Sequence, residues 1–371
     1  MIARVALDPS SLVDLQVVDD EEATSALHDL LLTALSVHGA VVLGTPADAY
    51  GLMKEVKAQS QEVRKHWDVV LGSLSSSRRL IRRTPPCARP IAQIRLLEEL
   101  RDQWRDQVEV VVVDRARAVE FGVAGSPGHI EDASAALEIS TARGARLTVA
   151  MEQARRLAER ANQPCGTGRD DFWSGVLAPL ARLSNEAVIL DRYLFHKLLA
   201  KPTAGGSGAE EHVCWLLECL DRDMPAGSKV TLIAHDEAPQ DRGRSGPIPR
   251  VNASDIAALI ERFWLYRPAG GLGLVEVVIA PWRQRRRLLP HDRHVRFNVG
   301  AAVTFAQGLD RLATPKIEEP DGLNWHYRQG ASAVGSVLAA EVRVLDGRNR
   351  GVSRATVLDR RAVPRTTLTK I

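Results

Sequence analysis

Short apolar runs alternate with amphipathic stretches along the first 160 residues, and this alternation restricts the fold more than any other feature. The runs Ile2–Leu7, Ala40–Leu43 and Val108–Val113 are short and predict strands. Between the first two runs, Glu21–His38 places its leucines at helical spacing. Strands that alternate with helices in this way predict an α/β layer around a mainly parallel sheet.

Three further segments of this half also carry structural signals. Ala47–Leu74 and Ile91–Gln107 have the spacing of helices, and residues 75–90 combine serines, arginines and prolines as exposed loops do. The pattern near residue 150 leaves two alternatives open, a strand at Ala145–Ala150 or a single helix over Leu147–Arg160.

A change of composition at Asn162–Gly168, which is rich in glycine and polar residues, predicts a domain boundary. Beyond it, apolar runs and helical patterns alternate again. We therefore predict two α/β domains, residues 1–162 with a Rossmann-like arrangement and residues 168–330 with a central sheet flanked by helices. Residues 331–371 form a basic extension, in which Ala340–Leu345 has a strand-like pattern.

The composition is that of a globular chain, with 45% apolar and 26% charged residues. No apolar stretch reaches 18 residues, so we expect no integral membrane segment, and the first residues lack the pattern of a signal peptide. The four cysteines have no metal-ligand spacing, and Cys214 and Cys219 fit helix packing better than a bridge. A cytoplasmic location is therefore predicted.

Positive charge is clustered although the net charge is only +3. One cluster lies just ahead of a histidine-containing motif and consists of Arg283, Arg285, Arg286 and Arg287. Clustered arginines are either solvated surface or a contact for a phosphate-rich ligand. Their position beside the motif favours the second alternative.

The motif itself is His291-Asp292-Arg293, with Asn298 seven residues after the histidine. On an extended strand positions 291 and 293 face the same way, so an imidazole and a guanidinium would lie side by side. That pair is suited to holding a phosphodiester. His291 is the candidate nucleophile, and Arg293 and Asn298 are candidate phosphate-binding residues.

The order of three short motifs resembles the phospholipase D-like domain at the carboxyl end of microtubule-interacting-and-trafficking (MIT) proteins and its bacterial relatives. The matching segments are Asp191–Tyr193, His291–Arg293 and Gly308–Asp310, and the resemblance covers about residues 168–315. It implies a single phospholipase D-like half, with Asp191 and Asp310 orienting the phosphate-binding side chains.

Two departures from the superfamily weaken the case for catalysis. Its enzymes join two His-Lys-Asp elements in one site, whereas this chain has one candidate element, with Arg293 for the lysine and Asn298 for the aspartate. A monomeric catalyst is therefore not expected, although a homodimer would bring two copies of His291 together. The purely structural alternative is that Arg293 pairs with Asp191 or Asp310.

In the first half, Asp8 and Asp114 each follow an apolar strand, which places them at the edge of a parallel sheet where ligands bind. With Glu131 or Glu138 as a third ligand they would suit Mg²⁺ or Mn²⁺. The opening residues faintly resemble PIN-type nucleases, so a PIN-like arrangement of residues 1–162 is the alternative to the Rossmann-like one. Aspartate is also a common helix cap, and this alternative stays open.

The sequence thus predicts a protein that binds a phosphodiester polymer, DNA or RNA, through a degenerate phospholipase D-type site, in a bacterial defence or nucleic-acid-processing system. Two alternatives remain. One is a metal-dependent nuclease centred on Asp8 and Asp114. The other is a non-catalytic adaptor that binds a protein or anionic lipid.

Overall fold

The chain forms two compact units, residues Met1–Ala158 and Glu159–Ile371, and each is described by itself. The computed structural model describes residues 2–83, 85–105, 107–123, 129–132, 137–159, 161–199, 211–236, 250–264, 270–281, 293–346 and 351–360.

The first unit is built on one sheet with helices packed against it. Its strands are β1 (Ala3–Leu7), β2 (Gly39–Leu43), β3 (Leu80–Arg82), β4 (Val110–Val113), β5 (His129–Asp132) and β6 (Leu137–Thr141). Its helices are α1 (Glu21–His38), α2 (Pro46–Ala58), α3 (Gln61–Ser76), α4 (Leu97–Trp104), α5 (Arg115–Glu120) and α6 (Val149–Ala158).

The strand order of this sheet is β3-β2-β1-β4-β6-β5, parallel except for the antiparallel pairing of β5 with β6. β1 lies centrally between β2 and β4, so the carboxyl ends of β1 and β4 meet where the strand order reverses. Apolar residues of β4 pack with the buried Trp104 and Ile91 in one core. The predicted α/β class is therefore confirmed.

The second unit contains the strands β7 (Ala161–Gln163), β8 (Glu186–Leu190), β9 (Ser228–His235), β10 (Leu272–Ala280), β11 (Arg293–Phe297), β12 (Ala301–Phe305), β13 (Leu323–Gln329) and β14 (Ser353–Asp359). Its helices are α7 (Arg169–Phe172), α8 (Ala178–Ala181), α9 (His196–Leu199), α10 (Glu211–Asp223), α11 (Ala253–Trp264) and α12 (Ala331–Leu345).

These strands form one mixed sheet in the order β14-β10-β9-β8-β11-β12-β13-β7. β8, β9 and β10 are parallel to one another, and the remaining pairings are antiparallel. Because β11 runs against β8, it begins at the edge where β8 and β9 end. That edge carries the candidate site.

A buried cluster of charged side chains fastens α12 to this sheet. Glu341 of α12 is fully buried; its carboxylate accepts hydrogen bonds from Arg296 Nε at 2.8 Å and lies 3.0 Å from His294 Nε2. Both partners belong to β11 and alternate with its apolar residues. Arg296 is also 3.3 Å from the half-exposed Glu186. The neighbouring Val344 of α12 packs against Val188 and Leu190 of β8 in an apolar core.

Several predicted elements differ from the structure. The helix expected over residues 47–74 is two helices, because the Ser60 side chain accepts from the Val63 amide and starts α3. The loop expected at 75–90 contains β3. A 3-10 turn covers Ala145–Leu147 and α6 covers Val149–Ala158, so the strand alternative for Ala145–Ala150 is wrong; the strand of this region is β6.

The carboxyl-terminal part also differs. Residues Ala340–Leu345, which have a strand-like pattern, belong to α12. The pattern arises because apolar residues lie on both faces of this helix. Residues 331–346 and 351–360, expected as a separate extension, contribute α12 and β14 to the second unit. The unit boundary falls after Ala158, and β7, which includes residue 162, pairs with β13.

The four cysteines are all free thiols, and Cys214 and Cys219 are buried in α10, as packing predicts. Within the ranges that the structure covers, no helix combines the length and apolar character needed to cross a membrane.

Candidate functional site

Polar residues from four chain segments meet at one edge of the second sheet. Asp191 follows the last residue of β8, His235 ends β9, and Arg293 begins β11. The short 3-10 helix Leu309–Leu312, which follows β12, reaches the same edge. This edge is the carboxyl end of the parallel strands, where α/β sheets usually bind ligands.

Asp191 connects these segments. Its Oδ1 accepts from the Tyr193 amide at 2.9 Å and its Oδ2 accepts from the Leu309 amide at 2.9 Å, across 118 positions of sequence. Arg293 Nε lies 3.3 Å from Asp191 Oδ1. Asp191 is only 1% exposed, so its carboxyl group serves mainly to hold the three segments together.

Opposing influences act on the ionisation of this carboxyl group. Burial is the largest and raises the pKa of Asp191 above its usual range, with a small further rise from Asp310. The amides of Tyr193 and Leu309 and the Arg293 guanidinium act in the other direction. These three donors offset part of the cost of burying the carboxylate.

The Tyr193 ring is the centre of a second cluster at this edge. Its centroid lies 4.6 Å from the His196 ring and 5.2 Å from the His235 ring. The guanidinium carbons of Arg192 and Arg293 lie 5.6 Å and 5.9 Å from the same ring. Two cations and two imidazoles thus surround one phenol, and we call these five residues the Tyr193 cluster.

His235 of the Tyr193 cluster stays uncharged at neutral pH. Burial, followed by the charges of Arg192 and His196, lowers its pKa from 6.5 to about 3. A neutral imidazole has one N–H donor and one acceptor nitrogen, so it can form a hydrogen bond with a phosphate without adding charge. The Arg293 side chain is 17% exposed, so a ligand at this edge can reach its guanidinium.

Among the described residues, the charges of the site nearly cancel. Arg192, Arg293 and Arg250 are matched by Asp191, Asp236 and Asp310, and Arg250 Nε is 3.7 Å from Asp236 Oδ2. Strong binding of a polyanion would therefore need additional cations. The predicted source of these, Arg283, Arg285, Arg286 and Arg287, lies outside the described residues, as does His291.

Of the remaining predicted residues, Asp310 joins the site and Asn298 does not. Asp310 lies in the 3-10 helix beside Asp191 and is exposed. Asn298 follows the last residue of β11, where its Nδ2 donates to Asn185 Oδ1 at 2.6 Å. It is five residues from Arg293, about 17 Å along an extended strand. The prediction that Asn298 shares the phosphate site is therefore wrong.

His196 and His235 were missed by the sequence analysis. The available signal was a polar residue at the carboxyl end of a buried run, since His235 follows the mostly apolar run Val230–Ala234 as Asp191 follows Ala187–Leu190. Parallel pairing of β8 with β9 places both residues at one edge.

In the first unit, Asp8 and Asp114 do follow the adjacent parallel strands β1 and β4, as predicted. Each caps a helix: Asp8 accepts from the Ser10 amide and Asp114 from the Arg117 amide, both at 3.0 Å. Ser10 Oγ also donates to Asp114 at 3.1 Å. Burial raises the pKa of Asp8, which is fully enclosed. The helix-cap alternative accounts for both residues.

These aspartates do not fit a metal site. Arg117 places one Nη 3.5 Å from Asp8 and the other 3.9 Å from Asp114, so a guanidinium already supplies the positive charge. Glu138 lies near the amino end of β6, at the opposite edge, where it accepts from two α6 amides at 2.7 Å; it is not a third ligand. The side chain of Glu131 is outside the described part. Among the side chains described, no three His, Cys, Asp or Glu residues are arranged to hold a metal ion.

Comparison of the chain with protein-family models gives no match. A search of curated proteins likewise gives no relative. The phospholipase D-like resemblance therefore stays an expectation drawn from its motifs.

Proposed function

We propose that the second unit binds the phosphodiester backbone of a nucleic acid at the carboxyl edge of its sheet. Arg293 is the principal phosphate contact, and His235 and His196 supply imidazole donors. Tyr193 offers a ring on which a base can stack. Binding without turnover is the proposed activity of a monomer, since His291-Asp292-Arg293 is the one His-x-Arg element followed by an asparagine at the motif spacing, Asn298.

One observation carries this proposal: Asp191, Arg293 and Leu309, from the three motifs of the resemblance, meet through direct contacts. Motifs that merely occur in one order by chance have no reason to meet in space. The Tyr193 cluster adds support, because guanidinium, imidazole and phenol groups are the side chains that hold phosphates and bases.

A metal-dependent nuclease in the first unit is not carried forward, because Arg117 lies where the metal would be. Nothing in the described residues specifically favours the adaptor function. Dimerisation is testable alongside binding, since light scattering on the same samples reports the mass.

The test is fluorescence anisotropy with labelled single-stranded DNA, duplex DNA and RNA over a range of salt concentrations. Arg293→Ala removes one charge-assisted phosphate contact, which contributes about 1.5 to 3 kcal/mol. This variant should therefore bind at least about tenfold more weakly than the parent protein. The slope of log affinity against log salt should fall by about one. Arg293→Lys should bind with intermediate affinity, since it keeps the charge but loses the fork geometry.

The matched control is Arg262→Ala, which removes one exposed arginine from the last turn of α11 in the same unit. It should leave affinity within about twofold of the parent protein. Equal affinities for the two alanine variants, or no binding at low salt, would overturn the proposal. Circular dichroism of Arg293→Ala checks that loss of the Asp191 ion pair has not unfolded the unit.

A further inference from the structure

The first unit contains a cavity of about 340 Å³ at the carboxyl ends of β2 and β3. Leu43, Pro46, Ala49 and Pro86 give it largely apolar walls. This volume lies at the lower end of the range of small-molecule sites in proteins. The carboxyl edge of a parallel sheet is also where α/β folds bind small ligands.

Two arginines are the charged residues of this cavity. Arg82 is the last residue of β3 and is exposed, and Arg83 follows it. Arg83 Nη1 donates to the Gln103 carbonyl at 2.7 Å and to Cys87 Sγ at 2.8 Å, and its guanidinium lies 5.8 Å from the Trp104 ring. These contacts fix the direction of the Arg83 side chain without neutralising it.

The partners of Arg83 are all uncharged. A carbonyl and an indole carry no net charge, and burial raises the pKa of the Cys87 thiol, which keeps it protonated at neutral pH. Across the described part of the chain, neither Arg82 nor Arg83 is paired with a carboxylate, and no acidic side chain lines this cavity. Two positive charges therefore border an apolar space, and the residues that the structure describes provide no counter-ion for them.

We propose that this cavity binds a small organic anion. An apolar, ring-sized body fills the space between Leu43, Pro46, Ala49 and Pro86, and a phosphate or carboxylate group pairs with Arg82 and Arg83. A partly enclosed guanidinium gains most from an ionised partner that it can hold with two hydrogen bonds. The site is on the first unit and does not depend on the function proposed for the second.

Isothermal titration calorimetry on the full chain tests this with two anionic probes, adenosine 5′-monophosphate and 4-hydroxybenzoate. Adenosine and inorganic phosphate separate the contribution of the ring from that of the charge. Binding of the first probe alone identifies a phosphate ligand, and binding of the second alone identifies a carboxylate ligand. Either result supports the proposal, with a dissociation constant below about 1 mM.

Three variants locate the binding. Arg82→Ala should raise the dissociation constant at least tenfold, because it removes one cation and disturbs no described hydrogen bond. Ala49→Phe should abolish binding by filling the cavity. Arg64→Ala, an exposed arginine on α3, should bind as the parent protein does.

Arg293→Ala distinguishes this site from that of the second unit, and it should leave binding of both probes unchanged. The proposal is overturned if neither anionic probe binds, or if Arg82→Ala binds as tightly as Arg64→Ala. If Ala49→Phe fails to fold, the exposed Arg82 variant alone decides.

Discussion

Truncating Glu341 to alanine should destabilise the second unit by about 3 kcal/mol, because it leaves a guanidinium and an imidazole buried without their carboxylate. Arg296 is 8% exposed and His294 is 2% exposed, so water cannot replace the lost acceptor. Removing one partner of a buried ion pair costs about 3 to 5 kcal/mol. We take the lower value because Arg296 keeps Glu186 at 3.3 Å.

Native-state hydrogen exchange measured by mass spectrometry resolves this effect in one unit of a two-unit chain. Peptides that cover β11 and β12 should exchange roughly a hundredfold faster in Glu341→Ala, which corresponds to about 3 kcal/mol. Peptides from β1 and β4 of the first unit serve as an internal reference and should keep their rates.

Two variants separate the electrostatic cause from simple loss of packing. Val342→Ala changes the next residue of α12, which is 52% exposed, and should alter stability by less than about 0.5 kcal/mol. Glu341→Ala combined with Arg296→Met removes the stranded charge and should be more stable than Glu341→Ala alone. If the double variant is the less stable of the two, or if Glu341→Ala costs under about 1 kcal/mol, the reasoning is refuted.

Three further outcomes follow. Because burial and a neighbouring guanidinium lower the pKa of His235 to about 3, the unfolded chain gains a proton below pH 6.5 that the folded chain does not bind. In urea titrations, the free energy of unfolding of the parent protein should fall by about 2 kcal/mol more than that of His235→Asn between pH 7 and 5. Equal decreases in the two proteins would contradict this. Arg117→Met should cost the first unit about 2 to 4 kcal/mol, since two carbonyls and Asp8 lose their donor; unchanged urea unfolding would argue against it. Gly322→Ala should lower the melting temperature, because φ is +64° and a Cβ would meet a backbone oxygen, whereas Gly335→Ala in α12 should raise it; the same sign for both would be inconsistent.

The class of fold follows from the sequence because buried parallel strands are short apolar runs, and few other structures have that pattern. Val110–Val113 and Ala3–Leu7 are found as strands close to their predicted limits. The break between α2 and α3 was missed because Gln59 and Ser60 interrupt a helical pattern without a proline or glycine. In α12, exposed Leu338 and Val342 hide the period that would have marked a helix.

The candidate site was only partly predictable, because its residues lie on segments that are far apart in the sequence. Side-chain alternation relates residues two apart on a strand, and it gives no information about the neighbouring strand. The pairing of Arg293 with Asp191 was foreseen as the structural alternative, while His235 required knowledge that β8 and β9 are neighbours. Asn298 was placed by motif spacing alone, and the length of β11 takes it to the far edge.

The position of β14 has a consequence during synthesis. β10 is an apolar nine-residue strand whose outer side is covered by β14, and about seventy residues separate the two in the chain. At about 5 to 20 residues per second, a ribosome needs roughly 4 to 14 seconds to make that length. Throughout this interval the backbone donors and acceptors on the outer side of β10 are open to any other extended chain. The nascent protein is thus prone to aggregation for a defined period. A chain interrupted before Ser353 would remain prone to aggregation permanently.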